Sequence, residues 1–284
     1  MKINQKKILL TIIISLLVIV IYNYVNLEIL WHENLEEGLK LYKEYPHLFN
    51  FPYKLNYVDT FFYLVDSTSI KYFKFIFPFL IILPAIYELS IMLKSKFFEY
   101  YVTRKKYKNV IINWISKAYL PCFIMPIIIS MVLLASYIYS INCSPKYLFP
   151  NFVSVSSIVG FHINNIIFFI LFIINIFLVS VFFVNISLIV VNYVKRTSLT
   201  VIMSFLIITG YQIASECLLA PILVKISGKE WFLNYFSFYN LWYYDGDITP
   251  YMAMIHLLIL DFFTGFIIYK KFHKLENVVI ESEK

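Results

Sequence analysis

From residue 163 to residue 192 the chain carries no Asp, Glu, Lys or Arg. As a helix, that stretch would be about 45 Å long, half as long again as the roughly 30 Å hydrocarbon core of a bilayer. It can therefore cross a membrane with a tilt, or extend beyond it. Five more apolar runs accompany it, at about 8–25, 72–93, 118–141, 199–224 and 252–269. Hydrophobic residues make up 61% of the chain and charged residues 14%, where a water-soluble domain carries about a quarter charged. These features predict an all-α polytopic membrane protein: one transmembrane domain over 1–284, with six transmembrane helices. The first run resembles a signal peptide in length, but Asn23-Tyr24-Val25-Asn26 is a poor cleavage site, so it is read as a retained helix. Pro78, Pro84, Pro121, Pro126 and Pro221 lie inside spans, where neighbouring helices can satisfy the carbonyls they free.

Orientation follows from lysine and arginine placement. Lys2, Lys6 and Lys7, seven basic residues from Lys94 to Lys117, Lys195 with Arg196, and Lys270, Lys271, Lys274 and Lys284 make 16 of the 24 basic residues. All fall on one side of a six-span arrangement, which puts both termini in the cytoplasm. The net acidic loop 27–71 and the loop 225–250 then lie outside. Trp231, Tyr235, Tyr239 and Trp242 belong to a set of aromatics in 225–250 too dense for a solvated loop. They predict short interfacial or re-entrant helices between spans five and six. Aromatics from Phe49 to Phe62 make the first outer loop packed rather than solvated.

The cytosolic connector 94–117 is the one long basic segment. Tyr107, Val110, Ile111, Trp114 and Ile115 form an apolar stripe at helical spacing, with Lys105, Lys106, Lys108, Asn109 and Asn113 opposite. Thr103 is a candidate N-cap. Phe97, Phe98, Tyr101 and Val102 surround Glu99 before it. The pattern reads as two short pieces broken near Thr103-Arg104 and lying along the membrane surface. Basic charge alone would suit a solvated loop; the aromatic and aliphatic stripe favours docking of a cytosolic partner.

Several chemistries are missing. The chain has no GxxxxGK[ST], HExxH or GxSxG motif and no paired carboxylates four apart within a span. Cys122, Cys143 and Cys217 are odd in number and widely spaced, and His162 and His256 are isolated on apolar segments, so neither a disulfide framework nor a metal site is indicated. No catalytic residue is expected. Glu88, Glu216 and Asp261 lie within or at the ends of spans, where an ionised group facing lipid costs several kcal/mol. Glu88 is read as an ion-pair partner of the basic connector, and Glu216 as a candidate for substrate contact beside the outer aromatic loop. Asp261 is open to either a structural hydrogen bond or a proton or substrate path.

The layout of six spans, the basic aromatic connector FFEYYVTRKKYKNVIINWISK and the aromatic segment between spans five and six together resemble the type-2 permease superfamily of ATP-binding-cassette (ABC) exporters. Glu99 matches the acid on that family's coupling helix, Thr103-Arg104 the turn after it, and Tyr107 to Lys117 the lead-in to span three. The outer loop between spans one and two is longer than the simplest members have. The resemblance implies a bacterial cytoplasmic-membrane permease of the export type, paired with a second permease subunit, identical or paralogous. It implies that each permease docks on a cytosolic ABC ATPase through Phe97, Phe98, Glu99, Tyr101, Val102, Thr103 and Arg104. ATP and Mg would be bound by the ATPase and no cofactor by this chain. The other partner expected is membrane lipid, not nucleic acid. A hydrophobic or amphipathic cargo, for example an antimicrobial peptide, suits the outer aromatics. The rival readings are a secondary transporter using the intramembrane acids and a membrane immunity or interaction protein without turnover.

Overall fold

The structure is a computed structural model that describes residues 68–94, 107–142, 165–194, 196–229 and 250–273, with scattered positions at 10, 12–14, 17–18, 21–22, 25, 44 and 61. All regular structure among the described residues is helical. The helices are α1 (Thr68–Lys94), α2 (Tyr107–Ala118), α3 (Ile124–Asn142), α4 (Asn165–Val194), α5 (Thr197–Ala214), α6 (Ala220–Ser227) and α7 (Pro250–Phe272). A 3₁₀ turn, Leu120–Phe123, joins α2 to α3, and a π turn, Ser215–Leu219, joins α5 to α6. Five stretches are long and apolar enough to cross a membrane: Ile76–Leu93, Asn109–Ile138, Ile166–Val194, Thr197–Ser227 and Tyr251–Phe272. That is the make-up of a multi-pass membrane protein. They correspond to spans two to six of the sequence reading, except that the third begins at Asn109, inside the segment 94–117 read as the connector, rather than at 118. The first span lies outside the described residues except for its scattered positions.

Helix α4 is the axis of the bundle. It packs along α7 and also touches α1, α5 and α3. Phe168, Phe172, Val184, Leu188 and Val191 are fully buried along it. A helix surrounded on several sides has no polar face to show, which is why its sequence is apolar all round. Aromatic pairs tie its neighbours in. Phe77 of α1 meets Phe183 at 5.8 Å, and Phe79 of α1 stacks on Phe205 of α5 at 4.5 Å. Phe61, of the segment 27–71, is buried edge-on against Phe169 and Phe172, at 4.9 and 5.8 Å.

The connector stripe has a destination that the sequence reading did not give it. Val110 and Ile111 are 3% exposed, Ala118 is buried, and Trp114 and Ile115 are half-buried, while Asn109, Ile112, Asn113 and Ser116 face out. The apolar side of α2 packs on α1 of the same chain, so these side chains are spent inside the molecule rather than offered to a partner. Moreover, α2 does not end at the third span; it leads into it. Pro121 lacks an N–H and breaks the regular ladder, so the chain tightens into the 3₁₀ turn, with Cys122 N–H donating to the Tyr119 carbonyl at 3.1 Å. Helix α3 then continues the run.

Pro221 has a matching effect in span five. Its missing N–H leaves the Cys217 carbonyl without the usual helical donor, and the preceding turn widens to π geometry, Ala220 N–H donating to the Ser215 carbonyl. Ser215 Oγ donates back to the Tyr211 and Gln212 carbonyls at 2.7 and 3.0 Å. The helix stops at Gly228, whose φ of 69° is the left-handed cap conformation; its N–H donates to the Val224 carbonyl at 2.8 Å.

Candidate functional site

Asp261 sits midway along α7, and Thr264 follows it on the same face at i+3. That face packs on α4, which places Asn185 opposite. Asn185 is 2% exposed. Its Nδ2 donates to Asp261 Oδ1 at 3.2 Å and to Thr264 Oγ1 at 2.9 Å. From the other side Tyr119, at the junction of α2 with the 3₁₀ turn, donates its phenol to Asn185 Oδ1 at 2.5 Å. Thr264 Oγ1 in turn donates to the Leu260 carbonyl at 2.7 Å. One asparagine therefore joins spans three, four and six. Asp261 Oδ2 is buried and has no hydrogen-bond partner among the described residues.

The other two intramembrane acids are arranged differently. Glu88 Oε2 lies 3.9 Å from Lys117 Nζ, the last cation of the connector, which is the ion pair that the charge pattern suggests. Lys117 also caps the Trp114 ring at 5.2 Å. Both side chains of the ion pair keep substantial exposure, so the pair orients α2 on α1 more than it stabilises the bundle. Beside it Ser90 and Thr197 share a 2.5 Å hydrogen bond that ties α1 to the start of α5. Glu216 is half-buried on the π turn, with Gln212 Nε2 donating to its Oε1 at 3.1 Å. His256 of α7 makes a 2.9 Å contact through Nε2 with the Tyr211 hydroxyl of α5, an interhelical tie.

Glu88, Glu216 and Asp261 are thus not brought together: each belongs to a different set of helices. The coupling candidates Phe97, Phe98, Glu99, Tyr101, Val102, Thr103 and Arg104 and the outer aromatics Trp231, Tyr235, Tyr239 and Trp242 lie outside the described residues. Among the described residues no group of three His, Cys, Asp or Glu side chains could hold a metal ion. Sequence reasoning singled out Asp261 but missed Tyr119 and Thr264 as its neighbours. It assigned no role to Asn185. The available signal was the pairing of an acid with a hydroxyl three residues on, in an otherwise apolar helix. No protein-family model, curated protein or solved structure matches the chain.

Proposed function

We propose that the chain is the membrane subunit of an ABC exporter, with six spans and both termini in the cytoplasm of a bacterial cell, and that a separate cytosolic ATPase drives it. The observation that carries this reading is the continuity of α2 with the third span. Helix α2 is amphipathic, is seated on α1 and is tied there by Lys117 and Glu88. A push delivered just before Tyr107 would reach two spans at once. That is the mechanical requirement for a subunit whose energy source lies outside the membrane. Two such subunits, each with its ATPase, would move a hydrophobic or amphipathic cargo such as an antimicrobial peptide. Residues 97–104 would supply the docking surface, since the α2 stripe is already used within the chain.

The test has two steps. Affinity purification of the full chain from its own host should bring down an ATPase with a P-loop. Glu99→Ala and Arg104→Ala should then reduce export by about tenfold while hydrolysis continues, a change within the usual range of coupling free energies. Normal export by both variants, or transport that follows a pH gradient without ATP, would overturn the assignment.

A further inference from the structure

The hydrogens around Asp261 can be counted. Asn185 has two N–H groups; one goes to Asp261 Oδ1 and the other to Thr264 Oγ1. Tyr119 has one hydroxyl hydrogen, given to Asn185 Oδ1. Thr264 has one, given to the Leu260 carbonyl. Every side-chain hydrogen of the cluster is committed, and Oδ2 of Asp261 is left buried without a donor among the described residues. A carboxylate in that position would hold a full charge inside a membrane span on a single 3.2 Å hydrogen bond from a neutral amide.

Among the described residues the surrounding titratable and charged groups offer no countercharge. From the third-span run the phenol of Tyr119 and the thiol of Cys122 are the groups close enough to feel the Asp261 charge, and neither is a cation. Helix α4 contributes the neutral Asn185. On the α5 side His256 is turned to Tyr211, and on the α1 side Glu88 and Lys117 answer each other. A proton is the one cation that needs no cavity, and Oδ2 is where it would bond, taking the carboxyl from −1 to neutral.

We propose that Asp261 is an exchangeable proton-binding site within the membrane bundle, loaded while Asn185 joins spans three and six and emptied when that contact opens. The site does not depend on the ATPase-driven reading and stands or falls separately from it.

Infrared difference spectroscopy on the full chain in lipid nanodiscs, between acidic and alkaline buffers, reads the site without ATPase or cargo. The expected result is a neutral-carboxyl carbonyl band that changes with pH. It should be absent in Asp261→Asn, shifted in frequency by Tyr119→Phe and Thr264→Val, and unmoved by Glu216→Gln. Because the other acids of the chain also titrate, the site is read as the difference between wild type and Asp261→Asn; a spectrum that Asp261→Asn leaves unchanged overturns the proposal, as does an Asp261-dependent band of constant intensity at every pH. Should Asp261→Asn fail to accumulate, the frequency shift in Tyr119→Phe and Thr264→Val carries the assignment, and an unshifted band in both refutes it.

Discussion

Helices α4 and α7 are neighbours along most of their length, yet they solve opposite problems. In α4, 56% of the membrane-crossing stretch is buried inside the chain, against 22% in α7. Phe172, Phe168 and Leu188 of α4 are sealed among other helices, whereas Phe262 and Phe263 of α7 are 72% and 62% exposed. The apolar residues look alike in sequence. What separates them is the medium: protein side chains around α4, and on most of α7 the surface a bilayer would cover. Lipid tails are as apolar as leucine, so association of α7 with α4 cannot draw on the hydrophobic effect. On the buried strip of α7, Asp261 and Thr264 stand among Ala253, Leu257, Ile268 and Phe272, and polar contact with α4 adds to the packing there.

That contrast can be broken by substitution. The largest expected effect is Phe172→Ala, which opens a cavity against Phe61 and Phe168 and should cost about 3 kcal/mol or more. Phe262→Ala, at an exposed position, should be near neutral; equal losses for the two in a detergent-unfolding titration would refute the division between the helices. Asn185→Leu comes next. It removes three interhelical hydrogen bonds and should cost about 2 kcal/mol, given averages of roughly 0.6 kcal/mol per bond within membranes. Its loss should show as faster amide exchange in α7 rather than in α1. Smallest is Glu88→Gln, at about 0.5 kcal/mol and falling with added salt, because the pair is partly exposed. A salt-independent loss would mean that the contact is more deeply embedded than its accessibility indicates.

Much of this architecture is written in the chain. Apolar runs bounded by charges located spans two, four, five and six to within a few residues, since no other arrangement hides so many backbone dipoles in lipid, whereas the third apolar stretch starts nine residues earlier than read, at Asn109 inside the connector. Pro121 and Pro221 marked where the ladders change, because a missing N–H acts locally. The packing order was not legible. An all-apolar helix such as α4 has no polar face to give its orientation away, and Tyr119, Asn185 and Asp261 meet across separations of 66 and 76 residues. The connector shows the same limit in another form. Val110, Ile111 and Trp114 were recognisable as a stripe, but periodicity identifies a face without naming what covers it. The cover is α1.

The widened turn at Ser215–Leu219 has a geometric result of its own. It holds one residue beyond the regular count, and each residue of an α-helix advances the side chains by about 100°. Everything after Leu219 is therefore rotated against the phase set by α5. Residues that a helical wheel drawn through 197–227 would align are in fact offset. On such a wheel Ile207 and Lys225, eighteen residues apart, would coincide; one extra residue in the turn sets them about 100° apart. A single inserted residue lets one continuous rod present two unrelated profiles at its two ends.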